Sequence, residues 1–240
     1  MSRQVMLAGD SAFVIDLASA PPDGRAPEEI DVATNARVIA LAHAVGGLAV
    51  PGVRDIVPAF TTLAVHFDPL RTETDRLASL LEELARAPAE ARASEGACVD
   101  VPVCYGFDCG PDLNAVATAT GLEPSRVIDL HVAPLYRVFM IGFSPGFPYL
   151  GVVDARLRVP RRSNPRVTVP AGSVGLAGPQ TGIYPVASPG GWNIIGRTPL
   201  KLFDESRDEP CLLRPGGSVR FRAITASEFQ DAAGMATGGR

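Results

Sequence analysis

No apolar run in the 240 residues approaches the roughly 18 consecutive positions that cross a bilayer, so a helical membrane span is excluded. Residues 1–10 also lack the long apolar region of a secretory leader, and a cytoplasmic protein is expected. Cysteine is scarce. Cys98, Cys104, Cys109 and Cys211 form no Cys-x-x-Cys pair and have no histidine nearby, which argues against a zinc site and leaves reduced thiols as the expected state. Clustered positive charge is missing as well: the net charge is -4, and Arg161, Arg162 and Arg166 are the one close basic group, so nucleic acid is not an expected partner. Nucleotide fingerprints are absent too. The pattern Gly-x-x-x-x-Gly-Lys-Ser/Thr occurs nowhere, and Gly172, Gly175 and Gly178 are wrongly spaced for a dinucleotide turn.

What is present is a globular composition, 46% hydrophobic and 20% charged, at a length that suits two domains of ordinary size. The first part alternates strand and helix patterns. Strands are expected at residues 4–7 and 12–17 around the Gly9-Asp10-Ser11 turn, with a hairpin pair at 53–60 and 63–67. Asp31 is placed to cap a helix running to about residue 45, where Gly46 and Gly47 stop it. A second helix carries Leu77, Leu80, Leu81 and Leu84 at the spacing of one buried face, with Thr74 as its expected cap. Residues 87–96 then lose every large apolar side chain, which marks a linker and a domain boundary near residue 94. Beyond it a strand at 99–105 and helices at 111–120 and 124–132 precede a region of short apolar runs (137–143, 166–169, 193–195, 200–203 and 219–224) between Gly/Pro turns, as in a closed barrel or sandwich. The expected domains are residues 1–94 and 95–228, with 229–240 as a frayed tail.

Residues 140–202 concentrate glycine and proline, which fix backbone paths and here predict shaped loops around a pocket. Gly142-Phe-Ser-Pro-Gly146 matches the nucleophile-elbow pattern Gly-x-Ser-x-Gly but fails on mechanism. The residue after such a serine donates its backbone N–H to the oxyanion hole and opens a helix, whereas Pro145 has no N–H. Ser144 is therefore read as a turn residue, and no catalytic residue is assigned. His43, His66 and His131 read as structural, His131 closing a helix where a cation would suit the dipole. The candidate substrate-binding residues are Phe143, Phe147 and Tyr149 as walls, with Gln180, Thr181, Tyr184, Asn193 and Arg197 as polar groups embedded in apolar, Gly-rich loops. Arg197 offers a fork for a carboxylate or phosphate, or else a salt bridge.

These segments, together with Gly9-Asp-Ser-Ala-Phe, Pro51-Gly-Val-Arg-Asp-Ile-Val-Pro-Ala-Phe, Leu63-Ala-Val-His-Phe-Asp-Pro and Gly110-Pro-Asp-Leu, closely resemble one family with several names: allophanate hydrolase subunit 1, KipI-type inhibitor and the B-type subunit of 5-oxoprolinase. The resemblance runs from about residue 5 to residue 225. It implies an α+β fold, a small N-terminal α+β domain followed by a cyclophilin-like β-barrel. It also implies partners: a KipA-type or allophanate hydrolase subunit 2 protein, and a LamB/YcsF-type subunit with which relatives open the lactam of 5-oxoproline to glutamate at the expense of ATP. By the same resemblance ATP, with Mg, serves the assembled complex and is not bound by this chain alone. Two alternatives stay open, a subunit of a urea carboxylase or allophanate system and an inhibitor of a sensor histidine kinase.

Overall fold

The structure is a computed structural model that describes residues 5–18, 31–87 and 97–238. The chain divides into two compact units, Met1–Ser94 and Glu95–Arg240. The linker read at residues 87–96 lies, apart from Ala87, outside the described residues.

In the first unit the order is β1 (Val5–Ala8), β2 (Ala12–Asp16), α1 (Val32–Gly47), β3 (Val53–Pro58), β4 (Thr62–Phe67) and α2 (Thr74–Arg86). The strands form an antiparallel sheet in the order β1-β2-β4-β3. Alternation places Phe13 and Ile15 of β2 beside Leu63, Val65 and Phe67 of β4 in one buried cluster, which Val38, Leu41 and Val45 of α1 and Leu77, Leu81 and Ala85 of α2 complete. Asp31 caps α1 as its sequence predicts, accepting from the N–H groups of Ala33 and Thr34. At α2 the cap position falls to Glu73, which makes no side-chain capping bond, and Thr74 is already helical.

The second unit contains β5 (Cys98–Tyr105), α3 (Leu113–Thr120), α4 (Pro124–Val132), β6 (Leu135–Ile141), β7 (Pro148–Gly151), β8 (Arg166–Val169), β9 (Ser173–Ala177), β10 (Gln180–Ile183), β11 (Ser188–Gly190), β12 (Asn193–Arg197), β13 (Ser218–Ile224) and α5 (Ala226–Gly238). Seven strands close a barrel in the order β10-β7-β6-β13-β5-β12-β9, while β11 and β8 pair as a separate ribbon. Every barrel pairing is antiparallel except β5 with β13. Residues of alternating parity, among them Val101, Val103, Val138, Leu150, Val174, Leu176, Ile183 and Ile195, share one buried core with Leu113 and Val116 of α3 and Val127 and Leu130 of α4.

Two expectations are corrected. Of the residues read as a tail from 229, those to Gly238 continue the helix α5 that begins at Ala226, and the last two lie outside the described residues. Much of the glycine-rich stretch read as loops is strand: β7, β9, β10 and β11 all fall within it. Glycine is required there by contact. A Cβ on Gly182 would lie 3.0 Å from the Trp192 ring and 3.1 Å from that of Phe147, and one on Gly196 would lie 2.5 Å from Val103.

His131 is structural, as its sequence position suggests, but it is not a cation at the helix end. It is fully buried, with Nδ1 2.8 Å from the Tyr105 hydroxyl and Nε2 2.9 Å from Thr181 Oγ1. Since Thr181 donates its own proton to the Gly175 carbonyl, Nε2 must carry the hydrogen and Nδ1 must accept from Tyr105, which is the neutral imidazole. Burial pushes its pKa down to about 3. The unfolded chain takes up this proton near pH 6.5 and the folded one does not, so stability falls as pH drops from about 6.5 toward 3 by at most ~1.4 kcal/mol per pH unit. Denaturation of His131→Gln between pH 7.5 and 4.5 is expected to show a slope smaller than wild type by that contribution.

Candidate functional site

β6 and β7 are joined by a tight turn in which Gly142 N–H donates to the Phe147 carbonyl and Phe147 N–H donates to the Ser144 carbonyl. Phe143 occupies a left-handed conformation at φ 66° there, and its ring stands 64% exposed. Gly146, at φ 81°, allows the turn to lie against Phe203, from whose Cβ a methyl group would stand only 2.8 Å away. This turn leads from strand to strand, so Ser144 lacks the helix of an elbow, and its buried Oγ has no hydrogen-bond partner, base included, among the described residues.

From this turn the chain carries Phe147, just ahead of β7, and Tyr149 within it to the side opposite Leu150. There they meet Tyr184, Trp192, Val169, Ala177 and Ile194 in a second buried cluster, distinct from the barrel core. Phe147 lies at its centre, edge-on to Tyr184 at 5.1 Å, to Trp192 at 5.6 Å and to Phe143 at 5.5 Å between ring centroids. The rings wall a cleft of about 90 Å³ whose remaining lining is Arg161 and residues 189–191. Gly190 shapes it directly, since a Cβ there would stand 2.3 Å from the Tyr184 hydroxyl.

The segment ahead of the β8–β11 ribbon, and β8 itself, are fixed by one buried carboxylate. Asp112 accepts from Arg162 at 2.7 Å, from both terminal nitrogens of Arg166 at 2.7 and 2.8 Å, and from Ile194 N–H at 2.7 Å. Burial raises its pKa, but the Arg166 hydrogen bonds and the Ile194 N–H outweigh burial and hold it below the ordinary carboxylate value. Arg161, next to this network, is exposed and makes no ion pair among the described residues.

Of the expected substrate-binding residues, the structure brings Phe143, Phe147, Tyr149 and Tyr184 together at the cleft. The other four lie elsewhere. Thr181 faces the barrel core on His131 and Gly175, because β10 alternates and only Gln180 and Gly182 point outward. Gln180 is half-buried on that outward face and does not line the cleft. Asn193 spends its amide on the Pro160 and Leu176 carbonyls at 2.8 and 3.2 Å. Arg197, at the opposite end of β12, donates its Nε–H to the Ala171 carbonyl at 2.8 Å and lies 5.9 Å from the Phe229 ring, away from the cleft lining and without a salt bridge among the described residues. The residues that sequence reading missed are Arg161, Trp192 and Asp112. Their signal was weak, because Asp112 lies some fifty positions from its arginines and Arg161 is indistinguishable from Arg162 in a string of letters.

No helix among the described residues is long and apolar enough to cross a membrane, and no group of three or more His, Cys, Asp or Glu there is placed to hold a metal ion.

The family described as carboxyltransferase domain, subdomain C and D, matches residues 6–213. The chain is 41% identical over 237 residues to the B-type subunit of 5-oxoprolinase from Bacillus subtilis strain 168, covering 94% of this chain and 95% of the relative. Among solved structures, TTHA0988 is 40% identical with a TM-score of 0.77 over 90% of this chain, which spans only 40% of that longer chain. The urea amidolyase of K. lactis, at 19% identity and a TM-score of 0.72 over 95% of this chain, shares the fold.

Proposed function

Because the chain belongs to the carboxyltransferase-domain family that includes the B-type subunit of 5-oxoprolinase, we propose that it is one subunit of an ATP-dependent 5-oxoprolinase, which opens a cyclic amide to glutamate. The observation that carries this reading is the match to 95% of the length of the Bacillus subtilis relative at 41% identity. Cleft chemistry supports it. A lactam carbonyl is stabilised by resonance and must be activated before water attacks, so a contributing subunit needs to hold a small flat ring away from bulk water rather than supply a nucleophile. The aromatic cleft has that character: Phe147, Tyr184 and Trp192 offer buried rings, and none of the walls is a nucleophile paired with a base.

At about 90 Å³ the cleft falls far below the roughly 300 Å³ at which pockets for larger ligands begin, so it does not fit a nucleotide. ATP with Mg is assigned instead to a surface completed by partner subunits, of the KipA type and the LamB/YcsF type. That the same fold occupies 40% of TTHA0988 and 15% of the urea amidolyase chain is in keeping with a unit that works beside others.

The test is reconstitution. The chain mixed with KipA-type and LamB/YcsF-type proteins is expected to hydrolyse ATP in response to 5-oxoproline, and the chain alone to show no substrate-dependent hydrolysis. Turnover by the chain alone contradicts the subunit reading. A response to urea or allophanate in place of 5-oxoproline transfers it to the urea system, and inhibition of a histidine kinase without any turnover makes it a regulator.

A further inference from the structure

We infer that Arg161 is the carboxylate-recognition residue of the aromatic cleft, which makes the cleft a site for small cyclic carboxylic acids and not for neutral amides. This inference rests on the functional reading above for the identity of the acid, but not for the chemistry of its recognition.

Three observations converge on Arg161. It lines the cleft with Phe143, Phe147, Tyr149, Tyr184 and Trp192, and among the described residues it is the one charged group to do so. Its neighbours are already committed: Arg162 and Arg166 to Asp112, and Arg156 to Asp154 at 2.7 Å. An exposed guanidinium beside such a network, without a carboxylate of its own among the described residues, has its planar donor fork open to an incoming one. Finally, its charge acts on the Tyr149 and Tyr184 hydroxyls, opposing the upward shift that burial gives both, so the cation stands within electrostatic reach of the two polar tips in the cleft.

The size of the cleft narrows the ligand further. A volume of about 90 Å³ between rings set edge-to-face leaves room for one small ring, with the exposed Arg161 as the charged lining group for its carboxylate. 5-Oxoproline is a five-membered lactam bearing one carboxylate, and urea bears none. The Arg161 fork would therefore separate these two substrate classes by charge.

The chain contains a single tryptophan, Trp192, and it lies in the cleft wall, so its fluorescence reports occupancy. Titrations of wild type, Arg161→Gln and Arg161→Lys with 5-oxoproline, with the uncharged lactam 2-pyrrolidinone and with inorganic phosphate test the inference. 5-Oxoproline is expected to change the emission saturably, with affinity reduced about tenfold or more in Arg161→Gln and by less in Arg161→Lys, which keeps the charge but loses the fork. Any response to 2-pyrrolidinone should be the same in all three proteins. Equal affinity for 5-oxoproline in wild type and Arg161→Gln overturns the inference, as does phosphate competing as well as the cyclic acid, or silence of Trp192 toward every carboxylate in both the chain and the assembled complex. If Arg161-dependent binding is seen but the reconstituted complex does not turn over 5-oxoproline, the functional proposal fails and the recognition site stands. Turnover of 5-oxoproline with an unchanged KM in Arg161→Gln gives the reverse result.

Discussion

Replacement of Asp112 by Ala is expected to destabilise the barrel unit by about 3 kcal/mol, since removing one partner of a buried ion pair strands the others. Asp112 is 4% exposed, whereas Arg162 and Arg166 are 33% and 26% exposed, so the stranded guanidiniums recover part of their hydration and the effect stays at the lower end of that range. The loss reaches beyond charge, because the same carboxylate holds the Ile194 N–H on β12 and ties it to residues 162–166 ahead of and within β8. For a unit of this size the melting temperature should fall by roughly 6–12 °C. Asp112→Asn keeps an acceptor but not the charge and should fall between the two. Because the folded-state pKa of Asp112 is lowered, its stabilisation is present above the ordinary carboxylate range and is lost as pH falls through the folded value. The stability difference between wild type and Asp112→Ala should accordingly shrink in strong acid. Thermal melts of both proteins across that range measure it.

Gly110→Ala is expected to cost about 3 kcal/mol or more, above the usual range for overpacking. A Cβ at this position would stand 2.0 Å from the Ile195 carbonyl oxygen and 2.3 Å from its carbon. That carbonyl accepts from Gly106 N–H, while Asp112 N–H donates to Ile194, so β12 cannot retreat without breaking both bonds. A side chain could rotate away from such a contact, but backbone held inside a barrel strand has nowhere to go. The matched control is Gly234→Ala in α5, where a Cβ meets nothing within 4 Å; it should be neutral or up to about 1 kcal/mol stabilising. Denaturant unfolding of the two variants, followed through Trp192, compares them directly. Equal midpoints would show that the 106–110 turn can reorganise.

How much of this was readable from the letters depends on which physical signal each segment carries. α2 and α4 were legible because a leucine stripe at helical spacing, and Pro124 at a helix start, each act locally. The aromatic walls were legible as well, since Phe143, Phe147 and Tyr149 occur within seven positions of one another in a Gly/Pro-rich turn. β9 and β10 were not, because Gly175 and Gly182 occupy outward positions where a polar residue would have revealed the alternation. The same parity decides Thr181, whose composition suited a binding loop but whose place on β10 turns it toward His131. Asn193 and Arg197 lie outside the cleft for a related reason. A polar side chain amid apolar neighbours is as useful for holding stray carbonyls as for holding a ligand, and only the partner distances separate the two uses. Asp112 and Arg161 lie beyond local signals altogether: one gathers arginines from a distant segment, and the other is notable only because its neighbours have been taken.

The barrel seam is the parallel pair in which Cys98–Tyr105 lies beside Ser218–Ile224. During synthesis, β5 leaves the ribosome well before Ser218–Ile224 and must wait through all the intervening elements before this partner exists. The first unit faces no such delay, for its strands and helices among the described residues are complete by Arg86 and its strands pair among themselves. Nascent chains should therefore pass through a long stage in which a finished amino-terminal unit trails an open sheet with unpaired edges. Chaperones or a neighbouring nascent subunit would have most to shield at that stage, and protease protection of chains stalled before and after residue 224 would time its end.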